Sequence, residues 1–159
     1  MPRILLFVLI ILGLSLQSCD QNVVYEKNID ISNYQWEQND SLSFEFQIED
    51  ELHKNLLLNV RHRFEFGWRN MWLNMQLHFP NDSVYNTPIN IAMSQPDGHW
   101  FGECSGDICN LQFQLQDYYN KSFMPGTYRV VFSHEMRENP LANIMSLGIR
   151  LENYIEKED

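Results

Sequence analysis

Residues that could bind a metal ion or transfer protons are scattered along this chain of 159 residues. The segment HEMRE, residues 134–138, opens like the helical motif of zinc proteases. It lacks the second histidine of that motif and lies in a strand-like run, so it predicts no metal site. The sequence also shows no serine in a nucleophile elbow, no glycine-rich phosphate loop and no paired-histidine motif. We therefore predict a protein that is not an enzyme and that uses no cofactor.

The first cysteine, Cys19, follows an apolar run at residues 4–16 that is too short to cross a bilayer. Residues 4–12 have no polar face and Arg3 precedes them, which is typical of a secretory signal peptide. Leu16 and Ser18 before the cysteine resemble the lipobox of bacterial lipoproteins, although Gln17 is a less usual residue there. The resemblance implies cleavage before Cys19 and acylation of that residue. Several acyl chains, each methylene contributing about 0.8 kcal/mol, would then anchor the protein without a transmembrane helix.

The other two cysteines, Cys104 and Cys109, lie close together in the segment ECSGDIC. An even pair in an exported protein favours a disulfide, with free thiols as the alternative. A zinc site would need more ligands than the nearby His99 supplies. A disulfide that closes so short a loop would stabilise a turn more than the whole fold. Its contribution should lie near the low end of the usual range of about 2–4 kcal/mol.

The segments that position these residues alternate apolar and polar side chains. In residues 41–49, Leu42, Phe44, Phe46 and Ile48 fall on one face of a strand. The same alternation occurs in residues 55–66, 71–79, 111–116 and 127–136. Turn segments rich in Gly, Pro, Asn and Asp separate these runs. Short strands at regular spacing predict an all-β fold, an antiparallel β-sandwich of immunoglobulin-like or jelly-roll-like type.

Length and charge limit the organisation and the partners. We assign residues 1–18 to a lipoprotein signal peptide, 19–28 to the lipid anchor and a spacer, 29–153 to one β-sandwich domain and 154–159 to a polar tail. The only candidate helix lies around residues 139–145. The formal net charge is −10 and the basic residues are scattered. Nucleic acids and anionic lipid head groups are therefore not expected as partners.

Two groups of side chains could form a surface site. Arg61 and Arg63 share one strand face and could bind an anion, but pairing with carboxylates across strands is favoured in so acidic a chain. Trp68, Trp72 and Trp100 could stack on a sugar, although tryptophans more often lie in the core or at its edge. Trp72 falls on the polar face of its strand, so it is the best candidate for glycan stacking.

Several segments together resemble the gliding-motility lipoprotein GldH family of Bacteroidetes. They are the lipobox cysteine followed by VVYEKNIDI and Trp36, then LLLNVRHRFEF, NMWLNMQL, GHWFGECSGDI and FMPGTYRVVFSHEMRENPLANIMSLGIRLE. The resemblance covers nearly all of the chain after Cys19. It departs from the family at Cys104 and Cys109, so their disulfide would be a local addition. It implies a non-enzymatic envelope lipoprotein needed for gliding and associated with type IX secretion, though members also occur in bacteria that do not glide.

The same phylum attaches O-glycans at Asp followed by Ser or Thr and an apolar residue. Asp40-Ser41-Leu42 and Asp82-Ser83-Val84 fit this pattern, so we predict modification of Ser41 or Ser83. A turn-forming Asp-Ser pair is the alternative explanation of both tripeptides. Intact mass of the native protein that shows only acyl groups would contradict the prediction.

Two functions of different classes follow. The first is a structural or assembly component, anchored to the membrane through acyl chains on Cys19, that contacts other envelope or gliding-machinery proteins. The alternative is a surface glycan-binding lipoprotein that uses Trp72. An enzyme would need a catalytic group assembled from distant residues. In enteric bacteria, an Asp directly after the lipidated cysteine, as Asp20 is here, is a signal for retention in the inner membrane. That rule does not transfer safely to this phylum, so we favour the outer membrane.

Overall fold

The computed structural model describes residues 22–51, 53–115 and 123–154, and strands dominate these ranges. The strands are β1 (Val23–Asp30), β2 (Gln35–Trp36), β3 (Leu42–Ile48), β4 (Lys54–Arg63), β5 (Asn70–His78), β6 (Val84–Ala92), β7 (Glu103–Ser105), β8 (Ile108–Gln114), β9 (Gly126–His134), β10 (Leu141–Ala142) and β11 (Ile144–Asn153). The helical structure in these ranges is one 3₁₀ turn at Ser32–Tyr34.

Two antiparallel sheets form the body of the domain. The five-stranded sheet has the order β1-β11-β4-β8-β7, and the four-stranded sheet has the order β3-β9-β5-β6. Strands β2 and β10 form a separate short ladder in which Trp36 pairs with Leu141. Strands that neighbour each other in a sheet are often distant in sequence, so the fold depends on contacts between remote segments.

One hydrophobic core lies between the sheets. The predicted alternation holds in β3, where Phe44, Phe46 and Ile48 are buried and the residues between them are exposed. The buried faces of β4, β5, β9 and β11 join the same cluster. Across the interface, the ring centroid of Tyr25 lies 5.7 Å from that of Phe46. The prediction of an all-β antiparallel sandwich is confirmed.

The folded domain begins earlier than predicted. The sequence predicts an anchor and a spacer over residues 19–28, but Val23–Asp30 forms β1 and pairs with β11. The segment is rich in polar residues because β1 is an edge strand, with one face on the core and the other in solvent. Tyr25 and Ile29 are the side chains that pack against the core. A spacer could therefore include at most residues 20–22.

The predicted helix around residues 139–145 is wrong. Leu141 and Ile144 are buried and three residues apart, which imitates helical spacing. The chain instead forms β10 and the start of β11 on either side of Asn143, whose φ is 68°. The Asn143 N–H donates to the carbonyl of Tyr34 at 2.8 Å, and its side-chain Nδ2 donates to the carbonyl of Glu65 at 3.2 Å. These bonds to remote carbonyls hold Asn143 between two strands.

Candidate functional site

A cavity of about 920 Å³ lies on the outer face of the five-stranded sheet. All five strands contribute to it, together with the loop before β7, and its lining includes carboxylates, amides, an arginine and one exposed aromatic ring. We call this surface the sheet groove. The alternation of the strands sends apolar side chains inward and leaves these polar ones facing outward.

In one row across the sheet groove, the side chains hydrogen-bond to each other and to Glu26, and we call it the amide row. Asn28, Gly148, Asn59 and Gln112 are successive partners on β1, β11, β4 and β8. Asn59 Nδ2 donates to Glu26 Oε1 at 3.0 Å and lies 3.4 Å from Asn28 Oδ1, while Gln112 Nε2 donates to Asn59 Oδ1 at 3.0 Å. Gly148 makes room, because a Cβ there would lie 1.9 Å from Asn28 Oδ1.

In the next row the side chains are not paired with one another, and we call it the open row. Asp30, Ser146, Arg61, Asn110 and Glu103 are successive partners across all five strands. Within the described ranges, none of these five side chains makes a hydrogen bond or an ion pair with another residue. At the usual strand separation the row is about 19 Å across. It therefore presents donors and acceptors that a ligand could use.

A disulfide-linked hairpin forms one wall of the sheet groove. Cys104 on β7 and Cys109 on β8 are cross-strand partners, and the structure places their sulfurs in a disulfide bond. The turn between the strands passes through Gly106, whose φ is 60°. The hairpin carries Glu103 and Asn110 of the open row, so the disulfide holds two groove residues at a fixed separation.

We expect reduction of this disulfide to lower the free energy of unfolding by about 2 kcal/mol, because the cross-link closes a short loop. The measurement is the urea unfolding midpoint with and without reductant. The double variant Cys104→Ala/Cys109→Ala is the control, and its midpoint should not respond to reductant. Equal midpoints for the oxidised and reduced wild-type protein would contradict the expectation.

The three tryptophans considered for stacking lie in different surroundings. Trp72 on β5 is 45% exposed, and its backbone N–H donates to Met136 Sδ at 3.3 Å. Trp68 is 42% exposed, and its indole N–H donates to Glu138 Oε2 at 2.6 Å. Trp100 is half-buried, and its ring centroid lies 4.7 Å from that of His62. Trp72 belongs to the four-stranded sheet and does not line the sheet groove.

The histidine of HEMRE is buried in the core. His134 ends β9 with 1% exposure, and its Nε2 donates to the carbonyl of Trp36 at 3.0 Å. Its Nδ1 is buried and has no hydrogen-bond partner. Burial lowers the pKa of His134, and the bond to Trp36 opposes part of that shift. Among the described residues, no group of three or more His, Cys, Asp or Glu side chains is arranged to hold a metal ion.

The two arginines of the RHR segment differ in their contacts. Arg63 Nε donates to Glu65 Oε2 at 3.2 Å, within the same part of the chain rather than across strands. The hydrogen bond from its own backbone N–H is the main cause that lowers the pKa of Glu65, and the bond from the Arg63 guanidinium lowers it further. Arg61 lines the sheet groove and has no such partner in the described chain. The structure thus places one of the two arginines in a cavity and pairs the other.

The predicted modification sites lie outside the sheet groove. Ser41 is exposed immediately before β3, and Ser83 is exposed immediately before β6. The Ser83 hydroxyl donates to Asn81 Oδ1 at 2.6 Å, and Asp82 has a φ of 63°, as expected of a turn. Cys19, the predicted lipidation site, lies outside the described residues.

Several groove residues were not singled out from the sequence. Asn59, Asn110 and Gln112 occupy the polar positions of alternating strands, which is the one signal that could have indicated them. Their meeting with Asp30 and Ser146 depends on which strands become neighbours. No local pattern in the sequence reports that order.

Among the described residues, no helix is long and apolar enough to cross a bilayer.

Comparison with known proteins identifies the family. A family model for the GldH lipoprotein matches residues 23–151. The gliding motility lipoprotein GldH homolog of Christiangramia forsetii is 26% identical over 155 residues, which cover 92% of this chain and 93% of that protein. The gliding motility lipoprotein GldH of Flavobacterium johnsoniae is 23% identical over 154 residues, which cover 91% of this chain and 94% of that protein. The chain belongs to the GldH lipoprotein family.

Proposed function

We propose that this chain is a non-enzymatic structural or assembly component of the gliding-motility apparatus, associated with type IX secretion and anchored in the outer membrane. The observation that carries the proposal is the family match over residues 23–151, which begins four residues after the lipobox-like cysteine, Cys19. The two relatives, a gliding motility lipoprotein GldH and a GldH homolog, align with the chain over more than nine-tenths of its length.

The mechanism would be tethering. Acyl chains on Cys19 would confine the domain to the membrane surface, which raises its effective concentration toward partners in the same envelope layer. Exposed loops and the outer faces of both sheets are the surfaces available for contact with other envelope or gliding-machinery proteins. The net charge of −10 makes a partner with a basic contact surface the best electrostatic match.

The test is a complementation experiment in the native host. The gene is deleted and replaced by wild type or by Cys19→Ala, and three quantities are scored: surface spreading, export of a type IX substrate and membrane fractionation of the protein. We expect deletion to abolish spreading. We also expect Cys19→Ala to leave the membrane fraction and to restore less than about one tenth of wild-type spreading, since stable anchoring needs the acyl chains.

The double variant Cys104→Ala/Cys109→Ala is a matched control, because it removes two cysteines and keeps the lipidation site. It should remain in the membrane fraction and restore spreading. A deletion strain that spreads normally would contradict the motility role. Spreading restored by a soluble Cys19→Ala protein would contradict the tethering mechanism.

A further inference from the structure

The open row has the properties of an unoccupied polar binding surface. Ser146 lies at its floor with 6% exposure, and its hydroxyl has no hydrogen-bond partner among the described residues. Arg61 and Asn110 are its neighbours toward β7, and both side chains are exposed and unpaired. The hydroxyl oxygen of Ser146 is not enclosed by protein atoms, so a ligand in the groove can reach it. We propose that the sheet groove binds a neutral oligosaccharide along the open row.

The charges of the open row favour a neutral ligand. The carboxylates of Asp30 and Glu103 stand at its two ends, and the guanidinium of Arg61 stands in the middle. A phosphate or uronate on Arg61 would have a carboxylate two strands away on either side, at about 10 Å, and a polycation would be repelled by Arg61. Hydroxyl groups suit every member of the row, because a hydroxyl both donates to carboxylates and accepts from guanidinium and amide N–H groups.

The amide row makes the neighbouring floor rigid. Asn59 and Gln112 already use side-chain atoms in bonds to each other and to Glu26. A ligand in the open row would therefore meet a surface that is ordered before binding, which reduces the conformational entropy lost on association. This difference between adjacent rows is why we assign the ligand contacts to the open row.

Two phenylalanines line the groove: Phe113 is partly buried against the core, and Phe101 is the exposed ring that is available for stacking. Phe101 is 38% exposed where it lines the groove, and its backbone N–H donates to the carbonyl of Met93 at 2.8 Å. The next residue, Gly102, has a φ of 86°, and a Cβ there would lie 2.2 Å from the backbone oxygen of Asn110. Only glycine allows the loop to approach β8 so closely, which places Phe101 beside the open row. A single ring suits one sugar face, whereas protein interfaces usually bury several apolar anchors.

The size of the sheet groove fits more than one sugar ring. Its volume of about 920 Å³ lies at the upper end of the range for small-molecule sites, about 300–1,000 Å³. The groove is open along the sheet, so a linear chain could extend past it. Oligosaccharide binding goes beyond the proposed motility role. Its test uses purified protein, so the binding proposal and the motility proposal can each fail without the other.

The test is isothermal titration calorimetry on the full chain, purified from host membranes in a detergent without sugar groups. The probes are cellotetraose, xylotetraose, maltotetraose, mannotetraose and chitotetraose. We expect at least one of them to bind with a Kd at or below about 1 mM. Arg61→Ala and Asn110→Ala should each raise that Kd about tenfold, the effect of losing one or two hydrogen bonds.

Two variants serve as controls. Arg63→Ala removes an arginine from the same strand face, but Arg63 pairs with Glu65 and does not line the groove. Trp72→Ala removes the exposed tryptophan of the other sheet. Both should leave the Kd unchanged. Far-UV circular dichroism of every variant establishes that the fold is retained.

Four results would overturn the proposal. They are the absence of heat from all five probes at about 10 mM, a Kd that Arg61→Ala and Asn110→Ala leave unchanged, loss of binding in Trp72→Ala, and binding of tetragalacturonate or tetralysine in place of every neutral probe. The last result would assign the groove to a charged ligand.

Discussion

Replacing Trp36 by alanine is expected to lower the free energy of unfolding by about 3–5 kcal/mol, the usual cost of truncating a buried tryptophan. Trp36 is 1% exposed, and its indole N–H donates to the carbonyl of Asp40 at 2.7 Å. Its ring centroid lies 5.3 Å from that of His134 in an edge-to-face arrangement. The substitution would leave a cavity, an unsatisfied carbonyl and a histidine without its aromatic neighbour. Against a total stability of about 5–15 kcal/mol, the loss is large.

Urea unfolding followed by far-UV circular dichroism measures this effect. Trp72→Ala is the matched control, because it removes the same side chain from an exposed position. It should cost about 1 kcal/mol or less, as surface substitutions do. Equal losses for the two variants would show that Trp36 is not part of the cooperative core.

Acidification below about pH 6.5 is expected to destabilise the protein through His62 and His134. Both rings are buried, and burial is the main cause that lowers each pKa. His62 Nδ1 donates to the carbonyl of Arg63 at 2.9 Å, while its Nε2 has no hydrogen-bond partner. Protonation would therefore place a charged, unpaired N–H in the core, as it would at Nδ1 of His134.

The direction in which stability changes with pH follows from proton binding by the folded and the unfolded chain. Above about pH 7.5 the histidines are neutral in both states, and they contribute almost no slope. As the pH falls, the unfolded chain binds protons that the folded chain does not, so stability decreases until the pH reaches the lowered pKa values. The slope should approach about 1.4 kcal/mol per pH unit for each histidine. The bond to the Trp36 carbonyl and the carboxylates of Glu37 and Glu138 oppose the pKa shift of His134. The bond to the Arg63 carbonyl opposes the pKa shift of His62.

The measurement is the free energy of unfolding between pH 7.5 and 5.5. His62→Asn and His134→Gln keep an N–H donor near the position of the original one and remove the titrating ring, so each should reduce the slope. His99→Gln removes an exposed histidine that pairs with Asp97 and serves as the control. A slope that both core variants leave unchanged would assign the acid sensitivity to other groups.

Local patterns predicted the strands that have one face in the core and one in solvent. Strands β3, β5 and β9 alternate along their length, and each lies where the sequence indicated it. Strand β6 was missed because it lies at a sheet edge, where Pro88 is tolerated and the outer residues are polar. Strand β11 was missed because it is central and largely buried, so its apolar residues show no clean alternation.

The sheet groove could not be predicted, because it depends on the order of the strands. Arg61 is adjacent to Ser146 and Asn110 through pairings between segments that are far apart in sequence. The alternation did indicate that Arg61 faces outward. It could not indicate which residues stand beside it, or that Gly102 and Gly148 let the Asn110 backbone and the Asn28 side chain approach so closely.

The early start of β1 limits how far the domain can reach from a bilayer. Val23 is four residues after Cys19, and a fully extended chain covers at most about 3.6 Å per residue. With acyl chains on Cys19, the first strand would therefore begin within about 15 Å of the lipid surface. The start of β1 would then stay close to the membrane, so a partner that contacts this end of the domain would itself have to lie at the membrane surface.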